Sequence, residues 1–226
     1  MLGVGHQMTE NLFCLTEKNF KTPLGEVKND RGAVQKLAEA GRSIVSDNDF
    51  FHTSEHSVEF QVIFLQHLLA QDSFTIIPIL CGPIIVSASE YTRKAYLEKA
   101  NPFLEALSDI LGDQDSETLL IAEVDFSHIG PKFCHDMPAA YLEGQSERHD
   151  KGLLNAVSKR DTDAFWEESI RVNDQYNVCG FSAMACLMEV LPPSIRGRIL
   201  DYQIWHEQPT RSAVSFAAVV FLKHSD

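Results

Sequence analysis

The sequence has few cysteines, few basic residues and no long apolar run. Its 226 residues include five cysteines without a Cys-x-x-Cys pair, and 19 lysines and arginines against 32 aspartates and glutamates. No apolar run approaches the roughly 18 to 20 residues of a membrane helix, and the N-terminus has neither the basic region nor the apolar stretch of a signal peptide. We therefore expect a cytoplasmic protein without a membrane segment.

The shortage of basic residues limits the partners that the chain can bind. The net charge of −13 opposes the phosphate backbone and anionic lipid headgroups, so it argues against nucleic-acid and membrane binding. An odd number of cysteines, in a chain long enough to form a core without crosslinks, favours reduced thiols over disulfides. At least one thiol is then available as a ligand.

Several common catalytic motifs are also absent. The chain contains neither Gly-x-x-x-x-Gly-Lys-Ser/Thr nor Gly-x-Gly-x-x-Gly, which argues against a phosphate-cradling or dinucleotide-binding function. Ser57 and Ser127 lie outside any Gly-x-Ser-x-Gly motif, so a serine hydrolase has little support.

The apolar content is sufficient for one substantial core. With 44% hydrophobic residues and no visible linker, the sequence predicts a single domain over residues 1–226. Apolar runs predict buried strands over 74–82 and 118–126 and closing strands over 198–206 and 213–222, with amphipathic helices between them. One of these helix patterns, over 90–111, is predicted to be interrupted or restarted around Pro102. This alternation predicts an α/β fold with three α/β/α layers around a central mixed, largely buried sheet.

Two histidines occupy positions where such a fold places ligand-binding groups. His6 follows a short Gly-rich strand pattern, and His56 begins a helix pattern. His56 and Glu59 are three residues apart, so they could act together as a ligand and its partner. Alternatively, His6 is a surface or packing histidine, and the acidic residues merely stabilise the start of the helix.

A second set of polar groups follows the predicted strand 118–126 and precedes a later helix. Burial of Asp125 and His128 beside an apolar run requires pairing or a metal, unless Asp125 only caps a turn and His128 is exposed. Cys179 precedes Gly180 at a predicted helix start, where a thiolate is favoured. The alternative is a buried inert cysteine, an interpretation that suits Cys81 and Cys186 better.

These residues and several further segments together resemble the Memo family, known in bacteria as AmmeMemoRadiSam system protein B and related in fold to class III extradiol dioxygenases. The matching segments are Gly3-Val4-Gly5-His6, Thr22-Pro23-Leu24-Gly25, Glu55-His56-Ser57-Val58-Glu59 with Phe64-Leu65-Gln66, Ile77-Pro78-Ile79-Leu80-Cys81-Gly82, Asp125-Phe126-Ser127-His128, Cys179-Gly180 and Ser212-Ala213-Val214-Ser215-Phe216-Ala217. Their order covers nearly the whole chain.

The resemblance implies that His6, His56 and Cys179 are metal ligands, with Asp125 and His128 beside them. Fe(II) is the expected ion, with copper or zinc as alternatives, because a thiolate replaces the carboxylate that non-heme iron dioxygenases use. In this scheme His128 acts as acid or base and Asp125 orients it. The expected ligand is a small aromatic or phenolic molecule or a peptide, and the chain could form a homo-oligomer.

The resemblance also leaves alternatives open. The same cleft could serve a non-catalytic module that binds a peptide or small ligand, or a zinc site for metal-assisted hydrolysis. Family members carry an N-terminal segment with a Pro-His-Ala-Gly-Tyr motif that this chain lacks, which predicts either a misplaced start or a truncated form. Val4-Gly5 replaces Pro-Ser before His6, and this change could alter the direction of that imidazole.

Overall fold

A computed structural model describes residues 1–70, 73–84, 91–113, 115 and 117–223. The helices within these residues are α1 Arg31–Gly41, α2 Asp49–Thr53, α3 Ser57–Leu68, α4 Arg93–Leu111, α5 Ala139–Lys159, α6 Thr162–Val172 and α7 Phe181–Val190. The strands are β1 Leu2–Val4, β2 Phe13–Leu15, β3 Phe20–Thr22, β4 Gly25–Val27, β5 Val45–Ser46, β6 Ile79–Cys81, β7 His128–Ile129, β8 Ile195–Glu207 and β9 Ser212–Lys223.

The chain divides into two compact units. The first comprises Met1–Ile84, Tyr96–Glu123 and Ser182–Val190, and the second takes the described residues of Ile85–Ala95, Val124–Phe181 and Leu191–Asp226. Within the described part of the chain, no helix is both long and apolar enough to cross a bilayer.

The first unit is built on a mixed sheet in the order β1-β6-β2-β5. β1 runs parallel to β6, β2 runs parallel to β5, and β2 is antiparallel to β6. Every residue of β1, β2 and β6 is buried, as expected for strands covered on both faces. The predicted α/β class, with a mixed and largely buried sheet, is confirmed.

Two long strand predictions in this unit are only partly correct. In the range 74–82, Ile76 makes an isolated bridge and the regular strand is confined to β6, because Pro78 interrupts the run and lacks an N–H for the ladder. In the range 118–126, Ala122 alone forms a bridge, to Leu2. Leu119 is 72% exposed and lines an open groove of about 980 Å³, so the prediction of a buried strand is wrong at the start of this range.

Helix α4 runs through Pro102 without a break, where the sequence predicts an interruption. Pro102 and Glu98, one turn earlier, both lie on the exposed side of the helix. The backbone donor that proline lacks is therefore missing on the solvent-facing side, where its loss is least costly, and the helix continues.

The second unit contains an antiparallel sheet in the order β7-β9-β8. β8 and β9 form a long hairpin, with Ile195 opposite Lys223 and Glu207 opposite Ser212, which confirms the two predicted closing strands. β7 adds to the far edge of β9, with His128 opposite Val214. This pairing places His128, the last residue of the Asp-Phe-Ser-His segment, in β7, an edge strand of the sheet.

Candidate functional site

The first cluster of candidate residues lies where β1 passes the start of α3. A Cβ on Gly3 would come within 2.5 Å of Ser57 Oγ and 2.9 Å of Val58 Cγ2, so only glycine permits this close approach. The Val4 backbone N–H donates to Ser57 Oγ at 3.1 Å. These contacts bring His6, just after β1, to His56 at the start of α3.

Glu55 joins the two histidines. Its Oε2 lies 2.8 Å from His6 Nδ1, and its Oε1 lies 3.2 Å from His56 Nδ1. The backbone N–H groups of His6, His56 and Ser57 also donate to this carboxylate. Burial alone would raise the pKa of Glu55, but the hydrogen bond from His6 and those from the backbone outweigh it, and the pKa is lowered.

An ionised carboxylate can only accept hydrogen bonds, so the bond from His6 selects the tautomer with a proton on Nδ1 of the neutral His6 ring. The Nε2 lone pair of His6 is then available to a ligand. The two rings are stacked, with centroids 5.8 Å apart and planes inclined by 10°. Glu59, which the sequence suggests as the partner of His56, is exposed, and Glu55 takes that role instead.

The second cluster comprises Asp125, His128 and Cys179 in the other unit. One potential ligand atom from each residue lies within 4.8 Å of the other two. His128 Nε2 is 3.9 Å from Asp125 Oδ2, and Cys179 Sγ is 3.9 Å from the Asp125 carbonyl oxygen. A carboxylate, an imidazole and a thiol thus converge in this cluster.

Backbone contacts hold the Cys179 side of this cluster close to the His128 side. The His128 backbone N–H donates to the Tyr176 carbonyl at 2.7 Å, and Asn177 Nδ2 donates to the His128 carbonyl at 3.2 Å. A Cβ on Gly180 would lie 2.8 Å from the Asp125 carbonyl oxygen, so the chain after Cys179 passes directly against that residue.

The structure therefore brings the five predicted site residues together in two groups. His6 lies with His56 around Glu55, while Cys179 lies with Asp125 and His128. The assignment of one metal ion to His6, His56 and Cys179 stays a prediction. Sequence reasoning missed the role of Glu55, although its place directly before His56 was a usable signal.

Cys81 and Cys186 match their interpretation as inert cysteines. Both are buried, and the hydrogen bond with Cys186, together with burial, raises the pKa of the Cys81 thiol well above its ordinary value. Cys81 therefore supplies no thiolate near neutral pH. Across the described residues, none of the five cysteines forms a disulfide.

Comparison with known proteins identifies the family. A family model described as Memo-like protein matches residues 1–220, so this α/β chain with its two polar clusters belongs to the Memo family. It is 30% identical over 223 residues to a MEMO1 family protein of Aquifex aeolicus, a match that covers 98% of this chain and 54% of the relative.

Other relatives carry the same family name. A MEMO1 family protein of Nitrosopumilus maritimus is 25% identical over 228 residues, which cover 98% of this chain and 72% of that protein. One from Thermoplasma acidophilum is 28% identical over 191 residues, or 83% of this chain and 59% of the relative. The chain thus spans about half the length of the Aquifex relative.

Proposed function

We propose that this chain is a metal-binding Memo protein in which His6 and His56 supply imidazole ligands and Cys179 supplies a thiolate. The observation that carries the proposal is the Glu55 carboxylate placed against Nδ1 of both rings. Metal-binding histidines commonly donate their second ring N–H to a carboxylate, which fixes the tautomer and raises ligand basicity.

The donor chemistry fits a transition metal of intermediate softness. Two imidazoles suit iron, copper and zinc, and a thiolate shifts the preference toward the softer end of that range. Fe(II) is the proposed ion, with copper and zinc as competitors. Bound Fe(II) would supply coordination positions for O₂ and a substrate that chelates it.

His128 and Asp125 are the proposed acid–base pair. The 3.9 Å between His128 Nε2 and Asp125 Oδ2 is longer than a hydrogen bond, so a modest movement on ligand binding would bring them into contact. His128 is largely buried while the Asp125 side chain is half exposed, which suits a proton exchanged between a bound ligand and solvent.

A small aromatic or phenolic molecule is the proposed ligand. Next to the histidine pair, the Phe60 ring lies 5.6 Å from the His56 ring and is 48% exposed. An exposed aromatic face beside a ligand-binding group favours planar apolar partners through stacking.

Metal analysis of purified protein tests the ligand assignment. We expect one Fe(II) per chain after anaerobic loading, and loss of most of it in His56→Ala and Cys179→Ser. His67→Ala and Cys134→Ser change an exposed histidine and an exposed cysteine and should retain the metal. Full occupancy in His56→Ala would refute the assignment.

Oxygen uptake distinguishes the proposed enzyme from the alternative, a module that binds the same ligand without turnover. The Fe(II)-loaded chain is offered a panel of catechols while dissolved O₂ is recorded. Consumption that disappears in His128→Ala supports the enzyme, whereas substrate binding without O₂ uptake favours the module.

A further inference from the structure

A buried carboxylate supports the segment that carries Asp125 and His128. Asp150, in α5, is 0% exposed and accepts hydrogen bonds from three hydroxyl groups. Ser127 Oγ donates to Oδ1 at 2.6 Å, and Tyr202 Oη and Ser215 Oγ donate to Oδ2 at 2.8 and 2.5 Å. Burial of a carboxylate is costly, and such bonds are the usual compensation.

Further hydrogen bonds connect the two serines that contact Asp150 to the backbone. The Ser127 N–H donates to Ser215 Oγ at 2.9 Å, and the Ser215 N–H donates to the Ser127 carbonyl at 3.0 Å. The Phe126 N–H donates to the Ser215 carbonyl at 2.8 Å. Asp150 thus binds both sides of the junction between the Asp-Phe-Ser-His segment and β9.

The backbone of this segment in turn sets the His128 ring. His128 Nδ1 lies 3.0 Å from the Phe126 carbonyl oxygen, and a carbonyl can only accept, so Nδ1 carries the proton in the neutral ring. Nε2 is then the basic nitrogen, and it faces Asp125. The Phe133 ring contacts the imidazole edge-on, with centroids 4.8 Å apart, and further restricts its rotation.

We propose that Asp150 is a positioning residue for the cluster of Asp125, His128 and Cys179. By holding Ser127 and Ser215, its carboxylate fixes the Phe126 carbonyl and hence the tautomer and direction of the His128 imidazole. An amide at this position would keep one acceptor oxygen but replace the other with an NH₂ group, which cannot accept a hydroxyl proton. The link to catalysis rests on the function proposed above.

Nitrogen-15 NMR of the histidine side chains tests the positioning directly, without any metal. At a pH where the rings are neutral, the parent chain should show His128 as the Nδ1-protonated tautomer. In Asp150→Asn we expect that signal to move toward a mixture of tautomers, while the exposed His67 and His206 keep their shifts.

Asp161→Ala is the control for a general loss of stability. Asp161 caps α6 by accepting from the Ala164 N–H at 3.0 Å, and its loss should weaken the fold without moving the His128 signal. An unchanged His128 signal in Asp150→Asn, or an equal movement in Asp161→Ala, would overturn the proposal. If Asp150→Asn does not fold, Ser127→Ala removes one hydroxyl from the network and must move the signal instead.

Cobalt titration separates this inference from the proposed function. Asp150 holds His128, which the proposed function assigns as the acid or base and not as a metal ligand, so Asp150→Asn should bind Co²⁺ with the parental affinity. A parent chain that binds no Co²⁺ would contradict the metal function and leave the NMR result to decide on Asp150. A loss of Co²⁺ binding in Asp150→Asn that Asp161→Ala does not share would contradict a role of Asp150 confined to positioning His128.

Discussion

The buried Glu55 side chain lies against the rings of both His6 and His56. Its carboxylate contacts Nδ1 of His6 and of His56, and its charge is stabilised by N–H groups of the backbone around α3. The hydrogen bond between His6 Nδ1 and this carboxylate fixes the tautomer of the neutral His6 ring before any ligand arrives. Preorganisation of this kind reduces the free-energy cost of metal binding.

Glu55→Gln should weaken metal binding because an amide can donate as well as accept, so it no longer selects the Nδ1-protonated tautomer of His6. We expect Fe(II) or Co²⁺ affinity to fall roughly 10- to 100-fold, as for other groups that orient metal-binding histidines. Isothermal titration measures the change. Glu59→Gln, an exposed change in the first turn of α3, should bind like the parent, and equal affinities of all three chains would count against the role of Glu55.

His52 should make the fold sensitive to mild acid. Burial lowers the pKa of His52 from 6.5 to about 4, and its Nε2 lies 3.2 Å from the Cys14 carbonyl oxygen. Between these two pH values the unfolded chain binds a proton that the folded chain does not. Stability is therefore complete above pH 6.5 and is lost as the pH falls toward 4, by on the order of 3 kcal/mol.

Urea unfolding at pH 7.0 and at pH 4.5 measures this effect, with His52→Gln as the test variant. Glutamine can still donate to the Cys14 carbonyl but does not titrate. Its free energy of unfolding should therefore fall by about 2 to 3 kcal/mol less than that of the parent over this range. His67→Gln, at an exposed site, should keep the parental slope. Parallel pH dependence in all three chains would contradict the prediction.

Some residues of the site were predictable from sequence and others were not. Asp125 and His128 stood out because they directly follow an apolar run. Asp150 did not, because its hydroxyl partners lie 23, 52 and 65 residues away in the chain. A carboxylate within a helical pattern is usually solvated, and only tertiary structure shows that this one is buried.

At the scale of elements, β1 and α3 pack so closely that the backbone itself forms the contact. Gly3 faces Ser57, whose hydroxyl accepts from the Val4 N–H. The contact fixes where β1 ends relative to the start of α3, and therefore where His6 meets Glu55. β1 therefore positions His6 in addition to pairing with β6 in the sheet.

Gly3→Ala should destabilise the protein by about 1 to 3 kcal/mol, because the added methyl group overpacks this contact. Gly32→Ala is the matched change in α1, where the nearest atom to a new Cβ is 3.6 Å away. It should be neutral or stabilising by up to about 1 kcal/mol, owing to the higher helix propensity of alanine. Thermal unfolding measures both, and a Gly3→Ala chain as stable as the parent would show that β1 can move away from α3.

Element prediction from sequence succeeded where the pattern reflects local geometry. The closing strands became β8 and β9. The range 118–126 failed because apolar composition signals a preference for burial, while the exposed Leu119 shows that the folded chain leaves part of it open. The predicted interruption at Pro102 was wrong because the cost of a proline in a helix depends on whether its position faces solvent.

At the scale of the whole molecule, each compact unit carries one of the two clusters of candidate residues. His6 and His56 belong to the first unit, and Asp125, His128 and Cys179 belong to the second. The resemblance to the Memo family predicts His6, His56 and Cys179 as metal ligands, and the family match over residues 1–220 confirms membership. The ligand assignment itself stays a prediction.

X-ray absorption spectroscopy of the Fe(II)-loaded chain tests the central claim most directly. A His, His and Cys ligand set predicts one sulfur scatterer at about 2.3 Å, the usual metal–thiolate distance, together with the multiple-scattering signature of two imidazoles. In the fraction of iron that Cys179→Ser still binds at saturating Fe(II), the sulfur contribution should be absent while the imidazole signature remains. An iron environment of oxygen and nitrogen only in the parent chain, with no sulfur, would contradict the proposed site.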